Sequence, residues 1–304
     1  MIAGAPPWRQ VDLPGLGPRH VRDSGPPEAV DDAPTVLLLH GWSVSADLNW
    51  CRTYESLARR ARVIAWDHRG HGPGGLRRPR SVRIESMADD TAAVARALDV
   101  ERPILVGYSM GGAVAQAAWH RHPDLVAGLV LCATSSVFGL TRDERRDFAV
   151  MGLAALPTRL LRAAGFHDHA WRMVRRVGDR RADAQQGVGD TAFDQWAWDE
   201  IRVGFLDRVL WAGWHLGQFD SRGWIGGVEV PHAVVVCEAD EIVPTDRQRQ
   251  LAEALPAATV VEVPGDHGAC VNRADLFVPA LERALDAVTA GREMTNTALP
   301  SGPS

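Results

Sequence analysis

Ile104-Leu105-Val106-Gly107-Tyr108-Ser109-Met110-Gly111-Gly112-Ala113 is the stretch from which the rest of the chain is read. Its first half is an apolar run of β character, and a run of helical character begins just after Ser109. The join carries the G-x-S-x-G pattern of a nucleophile elbow, a strand-to-helix turn tight enough to strain its central serine. Gly107 and Gly111 have a steric reason to stand there, because strand and helix approach closely only if these positions lack a Cβ. The Ser109 hydroxyl is then expected at the tip of the turn. The Met110 N–H, at the positive end of the following helix, faces any negative charge that develops beside the serine.

Outward from this turn, strands and helices alternate. Thr35–Leu39 is a continuous apolar run suited to a strand covered on both faces, and it leads into His40-Gly41-Trp42. Arg62–Trp66 is a second such run and opens into Asp67-His68-Arg69-Gly70-His71-Gly72. Further strands are expected at Leu129–Cys132, His232–Cys237 and Thr259–Val263, with a short edge strand at Arg19–Arg22. Helical spacing occupies the intervals, as at Ile84–Leu98, Thr245–Leu255 and Arg273–Thr289. From about Val137 to Arg222 the alternation stops, leaving helical periodicity broken at Pro157, at Gly165 and in the polar Gln185–Asp190 segment. Alternation interrupted once by a helical block predicts an α/β fold, a mostly parallel, doubly wound sheet with ligands bound at its carboxyl edge.

Composition narrows the function classes. A chain of 304 residues is long enough for a full core, and a formal charge of −5 supplies no basic excess for phosphate neutralisation, so no nucleic-acid partner is expected. Every one of the 33 Lys-plus-Arg positions is arginine, which removes Schiff bases and Ser–Lys dyads. Cys51, Cys132, Cys237 and Cys270 are widely spaced, unlike a disulfide framework or zinc knuckle. His167-Asp168-His169 has no partner cluster, so no metal is expected, and the absence of a P-loop or G-x-G-x-x-G after a strand leaves no cofactor expected either. No signal-peptide pattern and no apolar run approaching the roughly 18 residues of a membrane span is found. A cytoplasmic location without a transmembrane segment is therefore expected.

The other chemistry-bearing motifs follow strands in the same way. His40-Gly41-Trp42 follows one, Glu238-Ala239-Asp240-Glu241 another, and Asp266-His267-Gly268 the last, so all converge with Ser109 on one sheet edge. A serine hydroxyl needs a base within hydrogen-bond reach, and the base needs an acid to hold its tautomer. Glu238, Asp240 and Glu241 are all candidates for that acid. Asp266 is set aside, because adjacent side chains seldom align for this bond.

The chain order of serine, acid and histidine, with the elbow and the Asp67–Gly72 loop, resembles the α/β-hydrolase fold family over roughly residues 18–290. Within the family it is similar to the capped serine esterase, lipase and haloperoxidase-like branch. The resemblance implies a helical cap inserted after the sixth strand. It divides the chain into a core of residues 1–136 and 223–290, a cap of 137–222, and a tail of 291–304 with the composition of a disordered end. It implies Ser109 as nucleophile, His267 as base and, through the D-x-x-V-P pattern, Asp240 as acid. It further implies an oxyanion hole formed by the backbone N–H groups of Trp42 and Met110. Cys237 departs from the glycine common at its position. Tyr108, Trp211 and Trp214 are expected to line the substrate pocket, whereas His68 and His71 are read as parts of a scaffold turn.

The function implied is a serine hydrolase cleaving small carboxylic esters with an apolar acyl or alcohol part. Ser109 stands where epoxide hydrolases and haloalkane dehalogenases carry aspartate, and the only tyrosines are Tyr54 and Tyr108, which excludes their chemistry. Acyl transfer, thioester cleavage and perhydrolysis use the same triad. A slow-turnover, ligand-binding signalling protein on this fold is the alternative from another class.

Overall fold

The computed structural model describes residues 2, 4–28, 30, 32–75, 81–166, 168–172 and 191–298. Eight strands form one sheet: β1 (Trp8–Leu13), β2 (Gly17–Asp23), β3 (Thr35–Leu39), β4 (Arg62–Ala65), β5 (Ile104–Tyr108), β6 (Gly128–Cys132), β7 (His232–Cys237) and β8 (Thr259–Val263). Their order across the sheet is β1-β2-β4-β3-β5-β6-β7-β8. From β4 to β8 every pairing is parallel, while β1 with β2 and β2 with β4 are antiparallel. The mostly parallel sheet is thus present.

Strand alternation sends side chains to two separate cores. Leu37 and Leu39 of β3, Leu105 of β5, and Val234 and Val236 of β7 meet helices on one face. Val36 and Leu38, Val106 and Tyr108, and Val235 and Cys237 meet helices on the other. Both faces are covered, which explains why these strands read as continuous apolar runs rather than alternating ones. Each fully buried aliphatic side chain contributes about 1.5–3 kcal/mol. The first face is closed by α3 (Ile84–Ala97) and α4 (Met110–Arg121), the second by α1 (Ala46–Trp50) and α2 (Tyr54–Ala58) together with the C-terminal helix.

Three local expectations are corrected. The segment Arg19–Arg22 lies inside β2, which is flanked on both sides; the edge belongs to β1. Only Val11 and Leu13 of β1 are buried, too few inward residues to announce a strand. Second, α5 (Arg142–Ala163) runs straight through Pro157. The carbonyl left without its helical partner is that of Leu153, whose side chain is 70% exposed, so the position faces water and the proline is tolerated. The helix instead stops beyond Ala163, where Gly165 adopts φ +84. Third, the last helix spans Ala274–Ala298 and so includes the first eight residues of the expected tail 291–304. Residues 299–304, His167 and the Gln185–Asp190 segment lie outside the described residues.

Between β6 and β7 the chain forms α5, α6 (Thr191–Val203) and α7 (Leu206–Leu216). A reciprocal capping box between Thr141 and Glu144 starts α5, and α5 packs along α7. The two ends of this insertion are joined by an antiparallel bridge between Val137 and Asp220. It therefore leaves and re-enters the sheet layer at one place. Two more helices complete the fold, α8 (Thr245–Ala254) and α9 (Ala269–Asn272), with α10 the C-terminal helix Ala274–Ala298.

Candidate active site

Ser109 sits between β5 and α4 with φ 53 and ψ −117, a conformation that costs an L-residue energy and persists only where surroundings enforce it. The enforcement is visible. A Cβ on Gly107 would collide with the Gly111 carbonyl, and one on Gly111 would collide with the Leu39 carbonyl of β3. The backbone of Ser109 is also tied to the end of β6: its N–H donates to the Cys132 carbonyl at 2.9 Å and its carbonyl accepts from the Thr134 hydroxyl at 2.7 Å.

The loop after β8 brings His267 to this serine. His267 Nε2 lies 3.0 Å from Ser109 Oγ, and His267 Nδ1 lies 2.7 Å from Asp240 Oδ2. An ionised carboxylate only accepts, so Nδ1 carries the proton and Nε2 presents a lone pair to the serine hydroxyl. Asp240 Oδ1 accepts the Ile242 and Val243 N–H groups at 2.9 Å each, which fixes the carboxylate plane. The competing acids lie elsewhere. Glu238 and Glu241 are exposed, and Asp266 is engaged by the Gly268 N–H and the Asn272 amide.

The two backbone N–H groups expected to form the oxyanion hole are those of Trp42 and Met110. Met110 begins α4, and neither its N–H nor that of Trp42 finds a protein acceptor among the described residues. The loop that carries Trp42 is held from below. Gly41 N–H donates to Asn49 Oδ1 at 2.8 Å, and Asn49 is buried on α1. The His40 ring accepts the His68 N–H at Nε2, 2.8 Å away, and approaches the Gly41 carbonyl through Nδ1 at 2.7 Å. The Trp42 indole is held by α7, donating to the Val209 carbonyl at 2.7 Å beneath Gly213.

The three residues expected to line the pocket have these surroundings. Tyr108 stands one place before Ser109, and its side chain enters the core that holds Trp50 and Phe277. Its hydroxyl donates to the His267 carbonyl at 2.8 Å, so it holds up the histidine loop. Trp211 and Trp214 meet edge-to-face at 5.2 Å, both contact His215, and Trp214 lies on Gly152 of α5. It is Val209 and Gly213, on another side of α7, that cover Trp42.

Asp67, His68 and His71 form a buried scaffold beside the site. Asp67 accepts from Ala46 N–H and Gly74 N–H at 2.7 Å each, and burial pushes its carboxyl up to about 7. Burial lowers His68 to about 3 and His71 to about 4, and drives His40 well below the usual imidazole range. Their rings cluster, with centroids 4.4 Å apart for His40–His68 and 5.4 Å for His40–His71. Arg69 pairs through both ends of its guanidinium with Asp90 at 2.6 and 2.7 Å, anchoring the turn to α3. Among the described residues no group of three or more His, Cys, Asp or Glu side chains is placed to hold a metal ion.

Residues 34–274 match the alpha/beta hydrolase fold family, and the chain belongs to it. A pimeloyl-(acyl-carrier protein) methyl ester esterase of Chromobacterium violaceum is 30% identical over 266 residues, covering 85% of this chain and 97% of that protein. Two solved structures share the fold. A thermophilic esterase from Thermogutta terrifontis aligns with TM-score 0.70 at 23% identity, covering 93% of this chain and 99% of that one. A bromoperoxidase from Bacillus anthracis aligns with TM-score 0.72 at 20% identity, covering 92% and 100%. The resemblance to the esterase and haloperoxidase branch read from the sequence agrees with these relatives. No helix among the described residues is long and apolar enough to cross a membrane.

Proposed function

We propose that this protein is a serine hydrolase that cleaves small carboxylic esters with an apolar acyl or alcohol part. The observation that carries the reading is the His267 imidazole bridging Asp240 at 2.7 Å and Ser109 at 3.0 Å. Ser109 Oγ attacks the ester carbonyl while its proton passes to His267 Nε2. Asp240 stabilises the imidazolium so formed. The oxyanion accepts hydrogen bonds from the N–H groups of Trp42 and Met110, which have no protein acceptor to give up among the described residues. Collapse breaks the ester C–O bond, and His267 returns its proton to the leaving alcohol. A water deprotonated by His267 then attacks the acyl-enzyme, releasing the acid and restoring the serine.

The apolar preference is supported by the inserted helices over this edge, where Trp42 lies under Val209 and Gly213, with Met151 of α5 also against Gly213. The division into a core of 1–136 and 223–290 and a cap of 137–222 is part of the same proposal. A fluorophosphonate probe should label Ser109 in the wild type and not in Ser109→Ala. Along a series of p-nitrophenyl esters, each methylene that enters the pocket should add up to about 0.8 kcal/mol of binding, raising kcat/KM until the pocket is full. Absence of both labelling and turnover would overturn the proposal. Turnover indifferent to chain length would remove the apolar pocket and leave the nucleophile.

A further inference from the structure

Asp240 Oδ2 has a second hydrogen-bond donor besides His267. Gln248, fully buried on α8, donates from Nε2 to that oxygen at 2.9 Å. The same Nε2 donates to the Val243 carbonyl at 2.7 Å, and Gln248 Oε1 accepts the Cys237 N–H at 2.9 Å. These partners fix which end of the amide is which. A flipped amide would set its NH2 against the Cys237 N–H and its oxygen against two acceptors. With Ile242 and Val243 on Oδ1, the Asp240 carboxylate receives four donors, filling its accepting capacity.

We propose that Gln248 is a positioning residue that sets both the orientation and the basicity of Asp240. The inference rests on the triad reading above. The orientation follows from the anchoring: Cys237 ends β7 and Val243 lies just before α8, so the amide ties the acid's loop to the sheet and to the helix at once. The basicity follows from sharing. A donor on Oδ2 draws charge from the oxygen that faces His267, and so moderates how strongly the carboxylate stabilises the imidazolium. Without that donor the imidazolium is held more tightly, and the acid limb of the Ser109 reaction moves to higher pH.

The test measures the rate at which a fluorophosphonate labels Ser109 as a function of pH, in the wild type and in Gln248→Leu and Gln248→Glu, with Tm recorded for each. For Gln248→Leu the acid limb should move up by about 0.5–1 pH unit, the shift matching the loss of one hydrogen bond. On p-nitrophenyl esters kcat should fall about tenfold while KM stays within about twofold, as for a group acting on the transition state rather than on substrate binding. For Gln248→Glu the new carboxylate, once ionised, faces Asp240 and should shift the limb further than leucine does. This variant keeps an acceptor for the Cys237 N–H, so it also carries the test if the leucine variant fails to fold. Folded variants whose acid limb stays within about 0.2 unit of wild type, well inside one hydrogen bond's worth, would overturn the inference and reduce Gln248 to packing. A wild type that is not labelled at all would overturn the triad reading and this inference with it; labelling with an unmoved limb overturns the inference alone.

Discussion

Four histidines stand within one edge of the sheet, in two different settings. His267 keeps 22% of its side chain exposed and has both ring nitrogens engaged, one by a carboxylate and one by a serine. His40, His68 and His71 are fully desolvated, cluster around one another, and leave both nitrogens of His68 without a protein partner among the described residues. A base must take up a proton in the course of reaction, so it needs a nearby anion and some access to water. The trio lacks both and is held neutral by burial. On the proposed mechanism, proximity to the nucleophilic serine therefore does not make a histidine a base; the carboxylate behind it does.

This contrast can be broken at several points. Ser109→Ala, or His267→Ala, should lower kcat by about 10⁶ while the protein stays folded, and the double variant should lose no more, because the group acts as one unit. A stopped assay on p-nitrophenyl esters with a folded control measures it, and a variant keeping a tenth of the activity would shift the chemistry elsewhere. Asp240→Asn should cost about 10⁴ in kcat by presenting the wrong imidazole tautomer, whereas Glu241→Gln, exposed to solvent, should leave kcat unchanged. Next in size is Asn49→Ala. It removes the acceptor for the Gly41 N–H and loosens the loop that carries Trp42. We expect a loss of about 10- to 100-fold in kcat, less than the 10²–10³ typical of deleting an oxyanion donor outright.

The smallest effect is on stability and sharpens the other half of the contrast. His40, His68 and His71 have folded pKa values below the unfolded value, so the unfolded chain binds more protons as the pH falls below about 6.5. Their contribution is present above that pH and lost on acidification toward the folded values of about 4 for His71 and about 3 for His68. Asp67 works in the opposite sense. Its folded pKa of about 7 means that the folded chain takes up a proton first, which adds stability as the pH falls toward 3.8. Three histidines against one carboxyl leave a net of about two protons once the unfolded imidazoles are fully charged, so stability should fall by about 2.7 kcal/mol per pH unit between about 5.5 and 4.5. Urea unfolding across that interval measures the slope, and a flat profile would mean that the trio is not held neutral.

Much of the site was legible because its signals are local. The elbow announces itself through glycines whose absent Cβ atoms make room for the Gly111 and Leu39 carbonyls. Asp240 and His267 each follow a strand whose apolar run marks its end. The pattern gave no hint of Asn49, because an asparagine inside a short helix is an ordinary solvent-facing residue until the Gly41 N–H is seen against it. Gln248 was hidden in the same way, in a polar helix whose composition suggests exposure at every position except the apolar ones. The hydrogen bond from Tyr108 to the His267 carbonyl is equally silent in the sequence, because it joins the end of one strand to the loop after another.

What the sequence determined by itself is the parallel sheet, the order of serine, acid and histidine along it, and the strained turn that presents Ser109. These follow from periodicity and from steric demands between neighbours, which are written in short stretches. The tertiary structure alone decided which polar side chains hold the candidate site in place: Asn49 bonds Gly41, Tyr108 bonds the His267 carbonyl, and Gln248 bonds Asp240. It also decided that β2 has a partner on each side and that α5 passes through Pro157. The physical reason is common to all of these. A buried polar group is stable only where a partner satisfies it, and these partners come from other elements of the fold.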